Sequence, residues 1–220
     1  MEFSIDRDIF LKSLSHAYGI IEKKATLPIL SNILIEAKES SVKITATDLD
    51  IIYSEEAPIQ ELKKTGSTTT SANILYDILR KLKPGSKVEL SLQNASKLKV
   101  VSDNSKFNLL CISPDNFPLS NEDNKQKTFD IPSQKLLKVL NKTKISISND
   151  ETRHYLNGIY LHKTKLENKI FLSGVATDSH RLSSSSIEID SNADFEPIIL
   201  PKKTIFQLIS LLEQNTGTIK

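Results

Sequence analysis

The chain has 220 residues, 38% of them hydrophobic and 25% charged, with a formal net charge of +2. That length allows two domains, the even spread of apolar residues argues against disorder, and so small a charge neither demands nor excludes nucleic acid. The single cysteine, Cys111, excludes an internal disulfide and a cysteine-built metal site, and within the apolar run Asn108–Ile112 it reads as a buried structural thiol.

In chain order, the N-terminus Met1–Asp6 has neither the positive segment nor the apolar segment of a signal peptide. No apolar run approaches the roughly 20 residues that cross a bilayer, so a cytoplasmic location without membrane contact is expected. Phe10, Leu11, Leu14, Ala17 and Tyr18 follow helical spacing, with Asp6 placed to cap the helix. From Leu30 an alternating strand, a charged turn and a second strand lead to Ala46-Thr47-Asp48. A second helix follows Ser71, with Ile74, Leu75, Ile78, Leu79 and Leu82 as its apolar face and Pro84-Gly85 as its end. Alternating runs at Lys87–Leu92, Lys97–Val101 and Lys106–Ile112 read as strands, and the polar stretch Pro118–Lys127 reads as a linker.

The same elements then return. Pro132 and Ser133 open a helix carrying Leu136, Leu137 and Leu140. The segment from Leu156 repeats strand, turn and strand up to Ala176-Thr177-Asp178. A further helix with Ile205, Phe206, Ile209 and Leu212 ends at Asn215-Thr216-Gly217. Asp48 and Asp178 lie 130 positions apart, so the repeating unit is a whole domain. The expected fold class is α+β: duplicated domains, each with two helices packed on antiparallel sheet. The expected division is residues 1–123, a linker at 124–128, and a second domain at 129–220. The second copy stops at Lys220 on the first of its closing strands. An unfinished sheet leaves an unpaired edge, so a fragment of a longer protein is expected.

Basic residues lie off the apolar stripes. Lys135, Lys138 and Lys142 share one helix face, and no acidic residue occurs from Ser133 to Ser148. Lys12 and His16 share a face of the first helix; Arg80, Lys81 and Lys83 close the second, and Lys202 and Lys203 open the last. Each is an ordinary solvated lysine or arginine taken alone; collected on equivalent helices they would make a phosphate-facing surface that reads no bases. Catalysis is poorly served. The motifs G-x-x-x-x-G-K-S/T, G-x-G-x-x-G, G-x-S-x-G and H-E-x-x-H are absent, and His16, His154, His162 and His180 lack metal-ligand spacing. Asp178, Ser179 and His180 offer the groups of a triad, but neighbours on an extended chain face opposite ways. No catalytic residue, cofactor or metal is expected.

Four motifs carry a resemblance: Thr26-Leu27-Pro28-Ile29-Leu30-Ser31-Asn32, Ala46-Thr47-Asp48-Leu49, Tyr155-Leu156-Asn157-Gly158 and Ala176-Thr177-Asp178-Ser179-His180-Arg181-Leu182. With Phe3, Leu11-Lys12 and Asp115-Asn116-Phe117-Pro118, the chain resembles the bacterial DNA sliding clamp, the beta subunit of DNA polymerase III, over nearly its whole length. The resemblance implies clamp domains whose helices face duplex DNA inside a head-to-tail homodimeric ring of three-domain subunits. It implies no catalysis, and partners (the polymerase, the clamp loader and repair proteins) that insert short linear motifs. The implied share of the motif pocket is Leu156, Thr177, Ser179, His180, Arg181 and Leu182, with Ser179 standing where the family usually has glycine. Lys24, Arg153, His154, Tyr155, Lys202 and Lys203 would face DNA beside Lys12, Arg80, Lys135, Lys138 and Lys142; the family often has tyrosine at His154. Lys106, Phe107 and Leu109 would meet a third domain of another subunit; the alternative puts Phe107 in its own core. A different reading keeps the domain pair as a peptide-binding adaptor with no DNA role.

Overall fold

The computed structural model describes residues 1–21, 27–119, 128–150, 152–189 and 195–220, in two compact units bounded as Met1–Asn121 and Glu122–Lys220. Of the expected linker at 124–128, only Thr128 lies within the described residues.

The first unit begins with β1 (Glu2–Asp6) and α1 (Arg7–Tyr18), followed by β2 (Asn32–Lys38), β3 (Ser41–Thr47), β4 (Ile52–Pro58), β5 (Glu61–Lys64) and β6 (Gly66–Ser71). Helix α2 (Ala72–Lys81) and strands β7 (Lys87–Asn94), β8 (Lys97–Ser102) and β9 (Ser105–Ile112) complete it. All strands pair antiparallel in the order β4-β3-β2-β6-β9-β8-β7-β1-β5. β9 joins the halves, pairing with β8 over most of its length and with β6 only at Cys111 and Ile112.

Period-2 alternation places Ile33 and Ile35, Val42 and Ile44, Val88 and Leu90 in one core with Phe10 and Leu14 of α1 and Leu75 and Leu79 of α2. The Asp6 carboxylate accepts the Asp8 and Ile9 amides, as a helix cap should. The apolar face expected on α2 is wider than the face it buries: Leu75 and Leu79 are buried, Ile78 and Leu82 half-buried, and Ile74 is exposed. His16 also departs from expectation. Its side chain is only 12% exposed and is drawn from the Lys12 face toward β4, with Nδ1 3.1 Å from the Tyr53 hydroxyl and 3.3 Å from Glu55 Oε2. Tyr53 in turn donates to Glu55. Burial pushes the Glu55 carboxyl up, but hydrogen bonds from Tyr53, His16 and Ser13 outweigh it and hold the group below the usual carboxylate range. Cys111 is half-buried rather than buried, and desolvation raises its thiol.

The second unit contains β10 (Ile131–Pro132), α3 (Ser133–Thr143), β11 (Gly158–Leu166), β12 (Lys169–Thr177), β13 (Leu182–Ile189), β14 (Ile198–Pro201), α4 (Lys202–Glu213) and β15 (Thr218–Ile219). Its four-stranded sheet runs β13-β12-β11-β14, the order of β4-β3-β2-β6 in the first unit. β10 pairs β15 as β1 pairs β7. Val139, Leu140, Ile159, Leu172, Ile205 and Ile209 form its core, while Phe206 is exposed beneath the Lys144 ammonium, 5.8 Å from the ring centroid. Two glycines allow the close packing. A Cβ on Gly158 would collide with the Leu200 carbonyl oxygen, and one on Gly174 would stand 2.7 Å from Val139 Cγ1. Among the described residues no helix is long and apolar enough to cross a membrane.

One buried charge ties the helices of the first unit together. Arg7, 8% exposed, donates from Nε to the Leu79 carbonyl (2.6 Å) and from Nη2 to the Arg80 carbonyl (2.9 Å), satisfying carbonyls in the last turn of α2. Its Nη1 meets Asp8 Oδ1 at 2.7 Å, and Asp8 Oδ2 accepts the Gly85 amide. Arg7→Met removes the guanidinium from both carbonyls and leaves Leu79 only the Leu82 amide (3.2 Å), so we expect a loss of about 1–3 kcal/mol in urea unfolding of the first unit.

Candidate functional site

The two copies of Ala-Thr-Asp build the same turn. Ala46 and Ala176 are buried in their cores. The Asp48 carboxylate accepts the amides of Asp50 (3.1 Å) and Ile51 (2.8 Å), and the Asp178 carboxylate accepts those of His180 (3.1 Å) and Arg181 (3.0 Å). The threonine hydroxyls of Thr47 and Thr177 accept the amides of Leu49 and Ser179. Leu49 and Ser179 both have left-handed backbones, at φ 81° and 78°, which explains why glycine suits the position. Such short polar side chains bonding amides two and three residues on are the chemistry of Asx turns.

In the second unit this turn displays Ser179, His180, Arg181 and Leu182 at the surface, with Leu182 65% exposed. Thr177 is half-buried and its hydroxyl donates to the Arg181 carbonyl at 2.8 Å. Arg181 Nε bonds Asp178 Oδ2 at 3.0 Å. Asp178 is therefore engaged by its own turn; the contact recorded to His180 is to its backbone amide, not its imidazole. The Arg181 and His180 amides, opposed by desolvation and aided by the Arg181 guanidinium, hold the Asp178 carboxyl below the usual carboxylate range.

Facing this turn are residues 144–150 and 152–156. Ser146 and Ser183 hydroxyls meet at 2.6 Å, and Arg153 Nη1 donates to Ser179 Oγ at 2.9 Å. A 3-10 turn, His154–Leu156, follows Arg153. It exposes His154 and Tyr155 (67%) and half-buries Leu156, whose amide donates to the Arg153 carbonyl. All six expected pocket residues thus lie on this turn and the neighbouring 3-10 turn. The Lys202 ammonium bonds Asn149 Oδ1, and both line a cavity of about 540 Å³ with Ser148, Asn157, Lys203 and Phe206.

Lys135, Lys138 and Lys142 are exposed on α3, opposite Leu136, Val139 and Leu140; Lys12 and Arg80 are also exposed, Arg80 paired with Asp77 at 3.2 Å. Lys24 lies outside the described residues. The residues expected at a ring interface divide. Lys106 is exposed, while Leu109 is 4% exposed in the core because β9 turns it inward opposite Leu98, so it has no free surface to offer. Phe107 packs partly on that core and lines a groove of about 420 Å³ with Ile74, Ile78 and Leu82 of the α2 segment. Sequence reasoning missed Arg7, Asp150 and Asn149, which lie outside any motif. Among the described residues no cluster of three His, Cys, Asp or Glu could hold a metal.

Two family models match: DNA polymerase III beta subunit, N-terminal domain, over residues 1–121, and its central domain over residues 130–220. The beta sliding clamp of Caulobacter vibrioides is 34% identical over all of this chain, and that of Rickettsia felis is 32% identical over 97% of it. Solved structures agree. A Bartonella birtlesii sliding clamp bound to griselimycin is similar at TM-score 0.94 and 38% identity, covering 99% of this chain and 58% of that one. A C. crescentus clamp with polyethylene glycol in a putative beta-motif tethering region matches at TM-score 0.92 and 35% identity, with the same two coverages. The chain spans 59% of the length of the Caulobacter relative.

Because the Asp178 carboxylate is held low, its turn is stable above the usual carboxylate range and loosens only as pH falls through the lowered value. We expect Asp178→Ala to speed amide hydrogen exchange at His180 and Arg181 roughly fivefold or more, the equivalent of one ordinary hydrogen bond. In the parent chain the same loss should come only in acid.

Proposed function

The chain belongs to the DNA polymerase III beta subunit family, and from that premise we propose that it supplies two clamp domains of a ring that slides on duplex DNA and tethers replication and repair proteins. One observation carries the reading: the same strand order recurs in both units, each with a pair of helices bearing exposed basic residues. Lysine and arginine placed this way neutralise phosphates without reading bases, as a sliding contact requires. Lys12 and Arg80 would serve in the first unit and Lys135, Lys138, Lys142, Arg153, His154, Tyr155, Lys202 and Lys203 in the second; Lys24, outside the described residues, is assigned to the same role by the family resemblance alone. No step of bond making is needed; the work is topological, in the cytoplasm at the nucleoid.

Leu156, Thr177, Ser179, His180, Arg181 and Leu182 form this chain's side of a motif pocket, Leu156 and Leu182 receiving apolar anchors and Arg181 polar ones. Griselimycin, bound by the Bartonella relative, is a suitable probe. The groove at Phe107 is the first unit's side of the dimer contact, with the exposed Lys106 next to Phe107 on β9. Leu109 supports that surface from within.

Binding of a short duplex at low salt tests the DNA reading. Replacing Lys135, Lys138 and Lys142 with alanine should lower the slope of log K against log salt by roughly 2–3, alike for unrelated sequences. A chain that binds griselimycin but no duplex would be an adaptor instead. Arg181→Ala or Leu182→Ala should weaken griselimycin binding tenfold or so while leaving the salt slope unchanged, as calorimetry and anisotropy can measure.

A further inference from the structure

The functional reading gives Arg153 to DNA and Ser179 to the motif pocket, yet the two side chains are bonded to each other. Arg153 Nη1 lies 2.9 Å from Ser179 Oγ, and its Nε lies 2.7 Å from Asp150 Oδ2. Asp150 is itself fixed: its Oδ1 accepts both the Thr152 amide (3.0 Å) and the Thr152 hydroxyl (2.6 Å), and its own amide donates to Ser148 Oγ. The Arg153 carbonyl accepts the Leu156 amide at 2.8 Å. One residue therefore spans both halves of the pocket rim, holding Leu156 by its backbone and the Thr177–Leu182 turn by its guanidinium.

We propose that Arg153 is a latch between the DNA-facing loop and the motif turn, and that a DNA phosphate engaging Arg153 releases Ser179 and weakens motif binding. The inference rests on the reading of the previous section. Its physical basis is a competition between acceptors. A phosphate forms charge-assisted, often bidentate bonds to guanidinium, whereas Ser179 offers a neutral hydroxyl. The Arg153 and Asp150 side chains are each 38% exposed, so an anion can reach them. Ser179 has a left-handed backbone that an L side chain adopts reluctantly, so a turn that loses the Arg153 bond has reason to relax. Linkage makes the effect reciprocal: bound peptide disfavours the phosphate by the same factor. A single half-exposed charged hydrogen bond sets that factor at roughly twofold to fivefold. The family's usual glycine here has no hydroxyl to offer, so the latch is a property of chains with a hydroxyl side chain at this position.

The test uses the 220-residue chain, a short mixed-sequence duplex at low ionic strength, and amide NMR, with Ser179→Gly and Ser179→Ala as paired variants. The first removes hydroxyl and strain together; the second removes the hydroxyl alone. In the parent chain, duplex should shift the amides of Lys135, Lys138 and Lys142 and, with them, those of His180 and Arg181. At matched occupancy, read from the α3 amides, both variants should keep the α3 shifts and lose those at 180 and 181. With griselimycin as probe, duplex should raise the Kd twofold to fivefold in the parent chain only. Shifts at 180 and 181 that survive in both variants, that are absent from the parent while α3 responds, or a griselimycin Kd indifferent to duplex would overturn the latch and leave DNA binding intact. If no amide of α3 responds, the DNA reading fails and the latch with it.

Discussion

The carboxylate of Asp178 is the interaction on which the candidate site depends. It accepts two amides of its own turn and the Arg181 guanidinium. That capture bends the chain sharply between β12 and β13 and brings four consecutive side chains to the surface. An aspartate does this well because its carboxylate sits a single methylene from the backbone, close enough to reach amides two and three residues ahead. Asp48 does the same in the first unit, where Leu49 and Ile52 occupy the places of Ser179 and Leu182. The duplication therefore preserved a backbone device while the side chains it displays diverged. In one copy the turn carries Asp50 and Ile51; in the other it carries His180 and Arg181, a cation suited to a polar partner.

Small residues let the elements around that turn pack closely. Gly158 and Gly174 admit a neighbouring strand and α3 at distances a methyl group would forbid. Ser183 lies close enough to bond Ser146. Close packing of this kind places a surface loop accurately without a large local core, because the loop ends are anchored in buried sheet. The first unit solves a related problem with charge. Arg7 satisfies terminal carbonyls of α2, so two helices meet at a polar junction that an apolar contact could not have completed.

Much of the fold was legible because it rests on local rules. Helical spacing at Phe10 and Leu14, the cap at Asp6, the strand alternation through Ile33 and Ile35, and the 130-residue recurrence all follow from periods and turn chemistry that a sequence displays directly. The turn that carries five of the six residues expected at the pocket was legible for the same reason, being one contiguous stretch. Leu109, His16 and Ile74 were misjudged where their fate hung on a distant partner. Alternation along β9 says that Phe107 and Leu109 share a face, but only pairing with Leu98 says that this face is the core. Helical spacing puts His16 beside Lys12, but the Tyr53 and Glu55 groups on β4 draw it under cover.

The sequence by itself determined a duplicated α+β chain with a capped Asp turn in each copy, lysine-bearing helices and the family to which it belongs. Those properties depend on contacts within a few residues or on residue identity, and both are written linearly. Only the tertiary structure decided that Arg153 reaches Ser179 across 26 positions, that Arg7 closes α2, and that Leu109 is core. Each of these depends on how far apart two segments lie after packing, and no period or motif in the chain encodes that distance.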